Sequence, residues 1–110
     1  MRMNERTIER ILDALQYINE HFGQTFMEDD IYRACPKVTS NIIDLFDELG
    51  VITCTKDGIS FDDSNFEEYR SFLSDLQDDI EESQMPEESK KVFISKIEFN
   101  LNINFNLLNL

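Results

Sequence analysis

Residues 40–54 read SNIIDLFDELGVITC. Ile42, Ile43, Leu45, Phe46 and Leu49 recur at the three- and four-residue spacing of a helix with its apolar side inward. Ser40 or Thr39 stands where an N-cap belongs, and Gly50 stands where the helix must stop. Directly after it the composition turns β-branched. Val51 to Thr55 reads as a strand, Lys56-Asp57-Gly58 as a tight turn, and Ile59 to Phe61 as the returning strand. A helix that ends in glycine and passes straight into a hairpin is the centre of this sequence.

Two helices are expected upstream. Asn4 can cap the first, with Glu5 in its opening turn and Ile8, Ile11, Leu12, Leu15, Ile18 and Phe22 as one apolar stripe. Gly23 is its natural stop, and His21 sits where a cation complements the helix dipole. Thr25 and Glu28 have capping-box spacing and open a short helix through Ile31 and Ala34, ended by Pro36.

Downstream, Ser64 and Glu67 repeat that spacing ahead of a fourth helix with Phe66, Tyr69, Phe72, Leu73, Leu76 and Ile80 inward. Met85-Pro86 breaks it, and Pro86 can begin a short fifth helix through Lys91. Then Ile97, Phe99, Leu101, Ile103, Phe105 and Leu107 alternate with Glu98 and four asparagines. Period two over eleven residues predicts a strand, since asparagine is a poor helix former. A helix is the alternative, because Phe93, Ile97, Leu101 and Phe105 also fall four apart.

Three helices followed by a short hairpin is the order of a winged helix-turn-helix. Residues 40–54, and the Leu49-Gly50-Val51-Ile52 junction above all, resemble the third helix and first wing strand of that superfamily. The resemblance spans about residues 6–61. It implies an α+β, mainly helical fold: a winged-helix-like core over 6–61, an added acidic helix over 64–84, and a C-terminal extension over 86–110. The expectation is one domain over 1–110, with the extension's amphipathic strand (Ile97, Phe99, Leu101, Ile103, Phe105, Leu107) pairing two copies as a homodimer.

In many members the third helix binds DNA. Here its outward residues are Thr39, Ser40, Asn41, Asp44, Asp47 and Glu48, with Lys37 as the one nearby cation and Lys56 alone on the wing. Three carboxylates oppose phosphate. Net charge is −13, unevenly spread. Residues 1–60 carry eleven acids against six bases, residues 61–88 eleven against one, and residues 89–110 one against three. On the fourth helix the polar side holds Glu67, Glu68, Asp75, Asp78, Asp79, Glu81 and Glu82, relieved only by Arg70. Carboxylates three or four residues apart lie about 5–6 Å from each other, the order of spacing of neighbouring backbone phosphates. Such a face either mimics nucleic acid towards a basic protein or simply keeps the chain solvated.

Catalytic readings find little support. Glycines 23, 50 and 58 are each explained by a turn or a cap, so no phosphate-binding loop remains. With one histidine and two cysteines, no metal set or nucleophile–base pair assembles, and no cofactor is expected. Cys35 and Cys54 read as small buried hydrophobes. No apolar run approaches the length of a membrane helix, and Met1 to Glu9 lacks a signal-peptide pattern, so a cytoplasmic location in the producing or host cell is expected.

The function expected is therefore binding rather than enzymatic. The chain would hold a basic, nucleic-acid-handling protein through Asp44, Asp47, Glu48 and the fourth-helix acids, and inhibit or adapt it. A phage anti-defence protein, an immunity protein or an antitoxin would suit that description. The alternative is a winged-helix transcriptional regulator whose basic surface gathers Arg2, Arg6, Arg10, Arg33 and Lys37.

Overall fold

Asn4 does cap the first helix. Its side-chain oxygen accepts the Thr7 amide at 2.8 Å, and α1 runs Glu5–Glu20. The computed structural model describes residues 4–108. Ile8, Ile11, Leu12, Ala14, Leu15 and Ile18 are all buried on one side of α1. Phe22 lies beyond the helix end, half-buried, with its ring 5.3 Å from Phe66 and 6.2 Å from Phe61. Gly23 turns the chain at φ +77°, a region that favours glycine, and donates to the Phe61 carbonyl at 2.8 Å.

That turn delivers a strand the periodicity did not announce, β1 (Thr25–Phe26). Thr25 therefore pairs in a sheet and caps nothing. The cap of α2 (Glu28–Ala34) is Met27, whose amide donates to the Asp30 carboxylate at 3.0 Å. α3 (Ser40–Leu49) begins at Thr39, which makes no side-chain capping bond, and closes at Gly50 with φ +78°. Ile42, Ile43 and Phe46 are buried and Leu45 is half-buried, but Leu49 is 47% exposed, contrary to expectation. At that turn α3 has reached the edge of the core. Val51 and Ile52, just past Gly50, take the inward positions instead.

The hairpin forms as read, with β2 (Thr53–Thr55) and β3 (Gly58–Ser60) shorter than the apolar runs. β3 is central in an antiparallel sheet of order β1-β3-β2, with Phe26 opposite Ile59 and Thr55 opposite Gly58. A Cβ on Gly58 would lie 2.8 Å from the Phe26 carbonyl oxygen, so only glycine lets β1 approach. Asp62 rather than Ser64 caps the next segment, a 3₁₀ turn at Asp63–Asn65 that leads into α4 (Phe66–Glu82). Buried Asn65 ties that start to the α3–β2 junction, donating to the Gly50 carbonyl at 2.9 Å and to Thr53 Oγ1 at 3.2 Å. Phe66, Tyr69, Leu73, Leu76 and Ile80 are buried.

The C-terminal strand is not there. Residues 87–108 form one helix, α5 (Glu87–Leu108), packed on α1 and α4. The set that alternation placed on one face is thereby divided. Ile97 is fully buried, Leu101, Ile103 and Leu107 are half-buried, and Phe99 and Phe105 are 56% and 50% exposed. The reason is the backbone. Strands of two or three residues offer no ladder for an eleven-residue partner, whereas a helix satisfies its own donors and acceptors. The inward face is Phe93, Ile97, Asn100 and Asn104, and the asparagines are accommodated by hydrogen bonds. Asn100 Nδ2 donates to the Lys96 carbonyl at 2.9 Å, Asn19 donates to the main-chain carbonyl of Asn100 at 3.1 Å, and Arg70 Nε donates to Asn104 Oδ1 at 2.9 Å. The Arg70 guanidinium also sits 4.6 Å from the Phe105 ring centre and 5.4 Å from that of Phe66.

The molecule is thus mainly helical with a small three-stranded antiparallel sheet, an α+β fold. Among the described residues no helix is long and apolar enough to cross a membrane. Both cysteines are free. Cys35 is half-buried, but Cys54 is exposed on the hairpin and is no core residue.

Candidate acidic binding face

α2 and α3 bring carboxylates together beside the hairpin. Glu28 and Asp29 occupy the first turn of α2, where the helix dipole favours acids. Asp44 and Asp47 are exposed on α3. The two titratable side chains between them record the convergence. Burial pushes the Tyr32 phenol up, and Glu28 raises it further, through its charge and by accepting the hydroxyl at 3.3 Å. Asp44 and Asp29 add to the rise. Partial desolvation pushes the Cys54 thiol up to about 11, helped by Asp47 as charge and hydrogen-bond acceptor, then by Glu28 and Asp44. Four acids from two helices therefore share one electrostatic neighbourhood beside the hairpin. A shallow groove of about 290 Å³ opens there, lined by Met27, Glu28, Asp29, Cys54, Thr55 and Ile59 among others.

The remaining expected residues are spread more widely. Glu48 and Asp44 line a second groove, about 470 Å³, between α3 and the Thr7–Ile11 part of α1. Glu68 folds its methylenes over the turn after α3, 3.2 Å from where a Gly50 Cβ would stand. Glu67, Asp75, Asp78, Asp79, Glu81 and Glu82 are exposed along α4. At 1.5 Å per residue, Asp75 lies about 10 Å and Glu82 about 21 Å along the helix from Glu68. The α4 acids thus form a row that starts beside the end of α3, where Glu68 covers Gly50.

Glu28 and Asp29 were missed by the sequence reading, which assigned Glu28 to a capping box with Thr25. Their signal was an acidic triplet, Glu28-Asp29-Asp30, opening the short helix that precedes α3.

Three of the cations expected for a DNA-binding surface meet. Arg6, Arg10 and Lys37 line a notch of about 350 Å³ with Glu9, where the start of α1 meets the loop before α3. Arg33 stands apart from them, 4.0 Å from Asp30, and Arg2 lies outside the described residues. No group of three or more metal-ligating side chains occurs among the described residues. No family model, no curated protein and no solved structure matches this chain.

Proposed function

We propose that the chain is a winged-helix protein whose acidic surface binds a basic, nucleic-acid-handling protein and inhibits or adapts it. The order α1-β1-α2-α3-β2-β3, with β1 completing the sheet around the hairpin, supports the winged-helix part of this reading. The observation that carries the functional part is the convergence of Glu28, Asp29, Asp44 and Asp47 around Tyr32 and Cys54. A duplex seated on α3 would bring its phosphates against that neighbourhood, which repels them and attracts Lys and Arg. The α4 acids extend the same sign of charge over a longer surface, which favours fast, salt-sensitive capture of a cationic partner. The biological setting proposed is an inhibitor of a host system, an immunity protein or an antitoxin, acting in the cytoplasm.

The test is a pull-down from the cell of origin or its host, run beside a variant with Glu28→Gln, Asp29→Asn, Asp44→Asn and Asp47→Asn. A basic nucleic-acid-binding protein retained by the native chain and released by the variant is the expected result. Equal retention by both would remove this face from the reading.

The second reading, a DNA-binding regulator, is favoured by the meeting of Arg6, Arg10 and Lys37. It requires sequence-dependent retardation of a duplex that Arg10→Gln abolishes. The acidic reading expects no retardation at micromolar protein and about 0.15 M salt, below the reach of non-specific binders with Kd of about 10⁻⁴–10⁻⁶ M.

A further inference from the structure

α5 presents apolar residues on two sides, and its own fold uses one. About 100° round the helix from the buried Phe93–Ile97–Asn100–Asn104 face, Val92 is 53% and Phe99 56% exposed, Lys96 is exposed and Ile103 is half-buried. These four stand four, three and four residues apart, so at 100° per residue they share one narrow strip of the helix. The strip covers about 17 Å of a helix about 33 Å long. Its neighbours Ser95, Asn102 and Asn106 are uncharged, and Glu98 lies about 100° round the helix from Phe99.

The strip is a palindrome. Turned end for end about a point between Ile97 and Glu98, Val92 falls opposite Ile103, and Lys96 falls opposite Phe99. We infer that α5 pairs antiparallel with α5 of a second copy across this strip. Two Val92–Ile103 contacts then close the ends, and two Lys96 ammonium groups rest on Phe99 rings at the centre. A foreign partner would need a ring opposite Lys96 and a cation opposite Phe99 at the same spacing, and a second copy has both by symmetry. Charge points the same way. Each copy carries −13, and most of its exposed acids lie on α2, α3 and α4. α5 packs on α1 and α4, so joining there keeps the α2 and α3 carboxylates off the contact, where like charges would repel.

This pairing replaces the strand-mediated dimer. Of the residues expected there, Phe99 and Ile103 remain in the contact, and Ile97 is withdrawn into the monomer core. Three helical turns make a small interface beside the roughly 800 Å² per partner of stable complexes, so the dimer is concentration-dependent. It stands independently of whatever the acidic face binds.

Sedimentation velocity of the full chain from low to high micromolar concentration tests it. The expected mass rises from 13.0 kDa towards twice that value. Phe99→Lys sets a cation against Lys96 of the other copy and should hold the mass at 13.0 kDa throughout. Adding Lys96→Glu to it should restore association, since each lysine then faces a glutamate. Both positions are exposed, so far-UV circular dichroism should match the native chain in each variant. A native chain that stays monomeric, a Phe99→Lys variant that still dimerises, or a double variant that remains single would each overturn the pairing.

Discussion

Phe61 and Asn104 are both fully buried, and both reach the first turns of α4. Around the Phe61 ring the contacts are aromatic, with the Phe66 and Tyr69 rings at 5.6 and 5.0 Å and Phe22 at 6.2 Å. Around Asn104 the contacts are polar and incompletely matched. Asn19 Oδ1, Asn100 Oδ1, Asn104 Nδ2, Arg70 Nη2 and the Tyr69 hydroxyl are all buried without a hydrogen-bond partner among the described residues. The aromatic side stabilises through area and close packing. The polar side does something else. Because α5 has apolar residues on several sides, burial alone chooses poorly among its faces. Asn100 and Asn104 meet Asn19 and Arg70 in only one rotation and register of the helix.

The largest effect should come from the aromatic side. Phe61→Ala removes a ring with no exposed surface and should cost about 3–5 kcal/mol in a urea titration, through lost transfer energy and the cavity left behind. A cost under about 1 kcal/mol would mean that this side relaxes freely, and the contrast with Asn104 would collapse.

The polar side should respond in two stages. Asn104→Ala leaves the half-buried Arg70 Nε without its acceptor and should cost about 1–3 kcal/mol. Arg70→Met combined with Asn104→Leu removes both partners together. It should recover most of that loss, since apolar groups of similar shape often replace a buried polar pair at no cost. The register argument makes a further demand on this double variant. Its amide spectrum should show doubled or broadened α5 signals, as the helix samples neighbouring rotations. A stable double variant with a single sharp set of signals would show that burial alone positions α5.

The same contrast explains what could be read in advance. α1, α3 and α4 were legible because one apolar stripe per helix dominates, as with Ile8, Ile11, Leu15 and Ile18, and because Gly50 must adopt positive φ wherever the chain continues from it. β1 was illegible because Thr25 and Phe26 become a strand only through β3, which lies more than thirty residues away. α5 carries two periods in the same letters. The choice between them belongs to the surface offered by α1 and α4 and to the absence of a matching ladder, neither of which is a local property. Asp44, Asp47 and the α4 acids could be found as exposed carboxylates on helices. That Glu28 and Asp29 join Asp44 and Asp47 around Cys54 depends on how α2 packs beside α3.

The smallest effect isolates one hydroxyl at the boundary of the two sides. Tyr69 has its ring against Phe61 and its oxygen buried without a hydrogen-bond partner among the described residues. Tyr69→Phe keeps the packing and deletes a group that gave up water for nothing. It should be neutral or stabilising by up to about 1 kcal/mol near neutral pH, where most substitutions of fully buried residues destabilise. Alkali amplifies the difference. Burial pushes the Tyr69 phenol well above its ordinary 10, because the phenolate cannot be solvated there. A group whose folded pKa lies above its unfolded value contributes its full stability below the unfolded pKa, and that contribution is lost as pH rises past it. The native chain should therefore lose stability from about pH 10 upward as the unfolded phenol ionises, and Tyr69→Phe should show a shallower decline over the same window. Parallel slopes for the two proteins, measured by urea midpoints at pH 8 through 11, would mean that the hydroxyl reaches solvent, and the aromatic side would then end before Tyr69.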